Sequence, residues 1–204
     1  YGTHVYPDSV HTEGITSITK EDVGYAGAWG GVIKLIGEVK KLETGRIHIQ
    51  VAPMFISRES QLANVDDVFN GILVRGDATG DVVFYGKGAG KLPTASAVVA
   101  DVIDCVRHLR SDRKILFWED AKPDYVQSWE DTPQDLFVRV SGQGDSDSLF
   151  DLAQQVFPEA VRLIRRDEEP GEAGFTLSQM SEKALRAKEP ALAERGLKLE
   201  NRIT

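Results

Sequence analysis

Apolar residues recur along this chain in two rhythms, and the places where the rhythm changes divide it into elements. Ile47, Ile49 and Val51 alternate with Arg46, His48 and Gln50, which predicts a half-buried strand. "VIKLIGEVKK" lies before it across "LETG", so the two read as a hairpin. Upstream, "TKEDVGYAGAWGG" reads as a short helix: Thr19 is its cap, Asp22 follows three residues later, and Gly30-Gly31 stops it. "DVFNGILVRGD" and "GDVVFYG" supply two more strands around "DATG". The rhythm then turns helical. Ala95, Val98, Val99, Val102, Ile103, Val106 and Leu109 form one stripe, with Asp101, Asp104, Arg107 and His108 mostly opposite. Such a stripe is expected to pack inward, so residues 1–110 read as a mixed or antiparallel sheet covered by helices.

From 111 to 134 the composition turns polar and acidic, with two prolines and no sustained period, as in a linker. Residues 135–204 then give strand "DLFVRVSG", helix "DSLFDLAQQVF", strand "AVRLIRR", strand "AGFTLSQM", helix "SEKALRAKEPALAERG" and strand "LKLENRIT". This βαββαβ order predicts a ferredoxin-like domain and makes the whole chain α+β. Pro190 is expected to kink or shorten the second of these helices.

Composition narrows the function. With 204 residues, 41% hydrophobic and 27% charged, the chain can bury a core in one or two domains. A net charge of −8 without a basic, aromatic-rich cluster argues against a nucleic-acid partner. No apolar run approaches the roughly 20 residues of a membrane span and no signal-peptide pattern opens the chain, so a cytoplasmic location is expected. The single Cys105 lies within the long helix and reads as a buried or half-buried thiol. His4, His11, His48 and His108 show no metal-ligand spacing, and His48 reads as a solvated residue on its strand. Tyr1 in place of an initiator methionine points to a piece of a longer protein.

The stretch "YGKGAGKLPTASAVVADVI" holds the most suggestive chemistry. It is not a P-loop: Tyr85 stands where the first glycine must turn, and Leu92 where a hydroxyl must hold magnesium. As a dinucleotide fingerprint it fits Gly86 and Gly88 but places Lys91 at the third glycine. What remains is a glycine loop able to take positive φ before a helix whose free amides could accept an anion. Local pattern alone puts an ordinary strand-to-helix turn ahead of a phosphate cradle.

Longer stretches say more. "TEGIT", "IKLIG", "LANVDDVFNGILVRGDATGDVVFYGKGAG" and "LPTASAVVADVID" together resemble the C-terminal part of homoserine dehydrogenase, from residue 1 to about Leu109. Residues 135–204 resemble the ACT domain that many bacterial members append. The resemblance implies an NAD(P)-dependent oxidoreductase that interconverts L-homoserine and L-aspartate 4-semialdehyde on the way to threonine and methionine. In that family the nucleotide-binding Rossmann domain and the catalytic glutamate, aspartate and lysine precede the position of Tyr1. The chain therefore reads as an inactive fragment, with no catalytic residue, no metal and no cofactor bound by itself. The last glycine of the family's GAG motif approaches the nicotinamide nucleotide; here it is Gly90, with Gly88 beside it. Lys91 reads as a solvated lysine or as facing a phosphate. A homodimer is also implied, through the sheet that the chain retains.

ACT domains commonly sense amino acids, but this chain departs from the usual D-x-P-G turn. "DSDS" puts Asp147 and Ser148 where proline and glycine stand, and a bulkier, more acidic loop would repel an effector carboxylate. Threonine binding is therefore not expected, and a structural role in oligomerisation competes with sensing. The alternative for the whole chain is a non-catalytic amino-acid-binding module of the ACT type.

Overall fold

The computed structural model describes residues 2–109 and 119–204. The chain is α+β, with four helices and eleven strands among the described residues. In order these are β1 Thr3–His4, β2 His11–Thr12, α1 Lys20–Trp29, β3 Gly31–Lys41, β4 Ile47–Ser57, β5 Phe69–Gly76, β6 Gly80–Lys87, α2 Lys91–His108, β7 Glu119–Asp120, β8 Gln134–Ser141, α3 Ser146–Gln154, β9 Val161–Leu163, β10 Glu172–Met180, α4 Glu182–Ala193 and β11 Lys198–Ile203. Two compact units result, one from residues 1–3 and 58–119, the other from 4–57 and 120–204. These spatial units divide the chain differently from the sequence limits at 110 and 135. Of the stretch read as a linker, 111–118 lie outside the described residues. The rest carries fixed structure, since Ile47 donates its amide to the Tyr125 carbonyl and accepts from Gln127.

In the larger unit, α1 begins as the sequence reading expects. Thr19 Oγ1 accepts from the Asp22 amide, the Asp22 carboxylate accepts from the Thr19 amide, and Gly30 closes the helix at φ 93°. Strands β3 and β4 pair antiparallel from Gly31↔Ser57 to Lys41↔Ile47, and β2 joins β4 in parallel, giving the order β2-β4-β3. The β8–β11 segment forms an antiparallel sheet in the order β11-β8-β10-β9, the expected ferredoxin-like βαββαβ arrangement. Helix α4 runs past Pro190 to Ala193.

Alternation along β8 sends its side chains to two different partners. Leu136, Val138 and Val140 meet Leu149, Phe157, Leu185 and Leu192 of the α3 and α4 layer in the main core. Phe137 and Arg139 point to the opposite face, where α1, Ile33 and Phe55 cover the sheet. The rings of Phe55 and Phe137 stack at 4.8 Å, and the Phe55 amide donates to the Thr204 carbonyl.

The smaller unit is built on the β5–β6 hairpin, in register from Phe69↔Lys87 to Gly76↔Gly80, followed by α2. The strands expected in one sheet thus lie in two. The α2 stripe does not pack inward either: Leu92, Val98, Val99, Val102, Val106 and Leu109 are all exposed, because no element of the described residues lies over them. Cys105 is exposed for the same reason, contrary to the buried thiol expected.

Candidate functional site

The glycine loop between β6 and α2 is the site the sequence points to, and its backbone explains its composition. Gly90 is the residue before α2 and adopts φ 118°, ψ 157°, a region open essentially to glycine alone. A side chain there would meet no clash, since a Cβ would lie 3.6 Å from Pro93 Cδ. Conformation, not crowding, demands glycine. Gly88 differs: it has no positive φ, but a Cβ would come within 2.9 Å of Asn70 Cγ on β5. Residues 86–92 are all exposed, so their backbone is open to a ligand.

No side chain caps α2. Thr94 donates to the Gly90 carbonyl and Pro93 has no amide, which leaves the amides of Lys91 and Leu92 as the free donors of the first turn. Their partial positive charge, the absence of a Cβ at Gly90 and the neighbouring Lys87 and Lys91 suit an anionic or polar group laid along the loop.

The other candidates scatter. Among the described residues no group of three or more His, Cys, Asp or Glu side chains could hold a metal ion. His108 Nδ1 donates to the Asp104 carbonyl at 2.8 Å on α2. His48, expected in solvent, is 2% exposed, and neither ring nitrogen has a hydrogen-bond partner among the described residues. Its strand face carries Gln50, also buried, which donates to Gln134 Oε1 at 2.6 Å, so the polar side of β4 is turned into the protein. Burial holds the His48 imidazole below its ordinary pKa, against the pull of the Glu38 charge.

Two polar assemblies were invisible to sequence pattern. In the first, His11 stacks on Trp129 at 3.5 Å and bonds Glu13, which pairs with Arg202; the Arg202 guanidinium also lies over Trp129 and bonds Glu182. Burial alone would raise the Glu13 carboxyl, but the Arg202 and His11 bonds overcome it and hold it below its ordinary value. An open cleft of about 790 Å³, lined in part by Tyr6, His11, Lys122, Gln127, Trp129 and Arg186, lies beside this stack. In the second, fully buried Asp22 accepts from Arg139 Nε and Asn201 Nδ2, both at 2.8 Å, tying α1 to the sheet of β8 and β11. The one available signal was an arginine amid the apolar residues of "DLFVRVSG".

At the start of α3, Asp145 accepts from the Ser148 amide and hydroxyl, both at 2.9 Å, which holds its carboxyl below the ordinary range. Asp147 lies 3.4 Å from Arg162. The turn is thus capped by its own Asp145 carboxylate, with the exposed Asp147 adding negative charge beside it.

Comparison with known proteins locates this architecture. The family model described as homoserine dehydrogenase matches residues 1–103. A homoserine dehydrogenase of Pseudomonas aeruginosa is 41% identical over 130 residues, covering 61% of this chain and 30% of that protein. One of Neisseria gonorrhoeae is 36% identical over 169 residues, covering 80% and 39%. Among solved structures, a homoserine dehydrogenase from Thiobacillus denitrificans superposes with TM-score 0.81 at 30% identity, covering all of this chain and 49% of its own. The Staphylococcus aureus enzyme at pH 6.0 gives 0.71 at 27% identity, covering 98% and 48%. The chain spans less than half the length of each.

Proposed function

The chain belongs to the homoserine dehydrogenase family, and on that premise we propose that it forms part of an enzyme interconverting L-homoserine and L-aspartate 4-semialdehyde with NAD(P). When bound, the reduced nucleotide would give a hydride to the semialdehyde and the oxidised one would take it from homoserine. The contribution of this chain is a wall: the exposed backbone at Gly88 and Gly90 approaches the nucleotide, and the Lys91 and Leu92 amides offer hydrogen bonds to its polar groups. The observation that carries this reading is the Gly90 backbone, held at φ 118° on an exposed loop where a Cβ would touch only the Pro93 ring. No residue here is assigned a role in proton transfer, and Lys91 is not promoted to one. The exposed stripe of α2 supports the view that the working enzyme covers this helix with residues from outside the chain.

Residues 135–204 form an ACT-type domain on this reading, supported by the βαββαβ sheet order. Because Asp145 already caps α3 and the exposed Asp147 adds a second negative charge beside it, the domain serves structure and assembly rather than threonine sensing. The enzyme is a homodimer that pairs through the β3 side of the sheet. In support, β3 is an eleven-residue edge strand with exposed Leu35 and Val39. A monomer in light scattering at micromolar concentration would contradict this.

The activity is tested by following NAD(P)H oxidation with aspartate 4-semialdehyde. The full-length protein should turn over, and residues 1–204 alone should neither turn over nor bind the nucleotide. Tight binding by residues 1–204 alone would overturn the assignment of a half-site.

A further inference from the structure

The loop before α3 is fastened to the turn between β9 and β10. Gly142 donates to the Gly171 carbonyl and Gly171 to the Gly144 carbonyl, both at 3.0 Å, while Ser146 Oγ donates to the Glu169 carbonyl at 3.2 Å. Asp147 adds a longer contact to Arg162. That turn in turn holds α1. Glu168 uses both carboxylate oxygens: Oε2 accepts from Arg162 Nη2 and Oε1 from the Tyr25 hydroxyl, each at 2.7 Å. Glu172 accepts from Arg165 Nη2 at 2.6 Å and lies 3.6 Å from Arg139, whose Nε holds Asp22. Helix α1 is therefore gripped at Asp22 and Tyr25, and through Gly30 it leads directly into β3.

We propose that the 167–172 turn is a transmission element that couples the loop 142–148 to α1, with the Tyr25–Glu168 hydrogen bond as its joint. Charge-assisted bonds between nearly buried groups are directional, and here Glu168 cannot follow Arg162 without changing the bond to Tyr25. The Tyr25 ring has no free path, being wholly buried between Phe137 and the β10 backbone at Gly174. A rearrangement of the loop, whether caused by a ligand or by a substitution, thus reaches α1 and the start of β3. The coupling is independent of the nucleotide wall and stands or falls separately from it.

The test is amide hydrogen exchange on the full-length protein, comparing α1 amides from Val23 to Trp29 with those of β8 as an internal reference. Gly144 adopts φ 129°, so Gly144→Ala strains the loop directly. Exchange in α1 should rise at least threefold relative to β8, and in a Tyr25→Phe background the same substitution should raise the α1 to β8 ratio by less than half as much, since only the Glu172–Arg139–Asp22 path then remains. If Gly144→Ala does not fold, Ser146→Ala, which deletes only the bond to Glu169, goes through the same comparison. An unaltered α1, a parallel change in α1 and β8, or an equal effect in both backgrounds would overturn the proposal.

Discussion

The ring of Tyr25 on α1 occupies the space that a side chain at Gly174 of β10 would need. A Cβ at position 174 would lie 2.7 Å from Tyr25 Cδ1 and 2.8 Å from Cζ. Glycine in the middle of a strand is therefore the condition for docking α1 on the sheet. Gly174→Ala should destabilise the protein by about 1–3 kcal/mol, since the buried ring must shift against Phe137. Urea denaturation measures it, and a change under about 0.5 kcal/mol would mean that the ring moves freely.

Asp22 carries a buried ion pair with Arg139, so removing one partner is worse than removing both. Asp22→Ala should cost about 3–5 kcal/mol, because Arg139 stays buried with its main partner gone. Adding Arg139→Met should recover part of that loss. A double variant less stable than Asp22→Ala would show that Glu172 suffices to hold the guanidinium.

The buried His48 makes stability depend on acid. Its folded pKa lies below the ordinary value of about 6.5, so below that pH the unfolded chain takes up a proton that the folded one resists. The His48 contribution is fully present above about pH 6.5 and is lost as pH falls below it. Denaturation midpoints at pH 7.5 and 5.0 should therefore differ more in the parent than in His48→Gln. An equal difference would place the acid sensitivity elsewhere.

What sequence could foretell follows from the range of the interactions concerned. The Thr19–Asp22 capping box, the β3–β4 hairpin and the βαββαβ order depend on neighbours a few residues apart, and all are found. Alternation in β4 fixed which residues share a face but not which face is buried, because both sides meet something: Ile47 and Pro53 are buried on one, and His48 and Gln50 on the other. The α2 stripe was legible as a helix face, while its partner could not be read from the chain. Of the site, the glycine spacing announced a special backbone at Gly90. The crowding that Asn70 imposes on Gly88 depends on a strand pairing.

The self-capped α3 turn gives a prediction about effectors. Titration calorimetry of the full-length protein with threonine should show no saturable sub-millimolar binding, because Asp145 already takes the Ser148 amide and Asp147 adds negative charge. Saturable binding would mean that the turn opens. Asp147→Gly should then tighten it.

The most direct test of the nucleotide wall is steady-state kinetics of Gly90→Val in the full-length enzyme with cofactor varied. At φ 118°, ψ 157° a branched residue is strained by about 1–3 kcal/mol and projects into the exposed space beside the loop. The account predicts a cofactor KM raised about tenfold, worth about 1.4 kcal/mol, with a thermal melt that stays cooperative. An unchanged cofactor KM at unchanged stability would contradict it and leave Gly90 as a turn residue only.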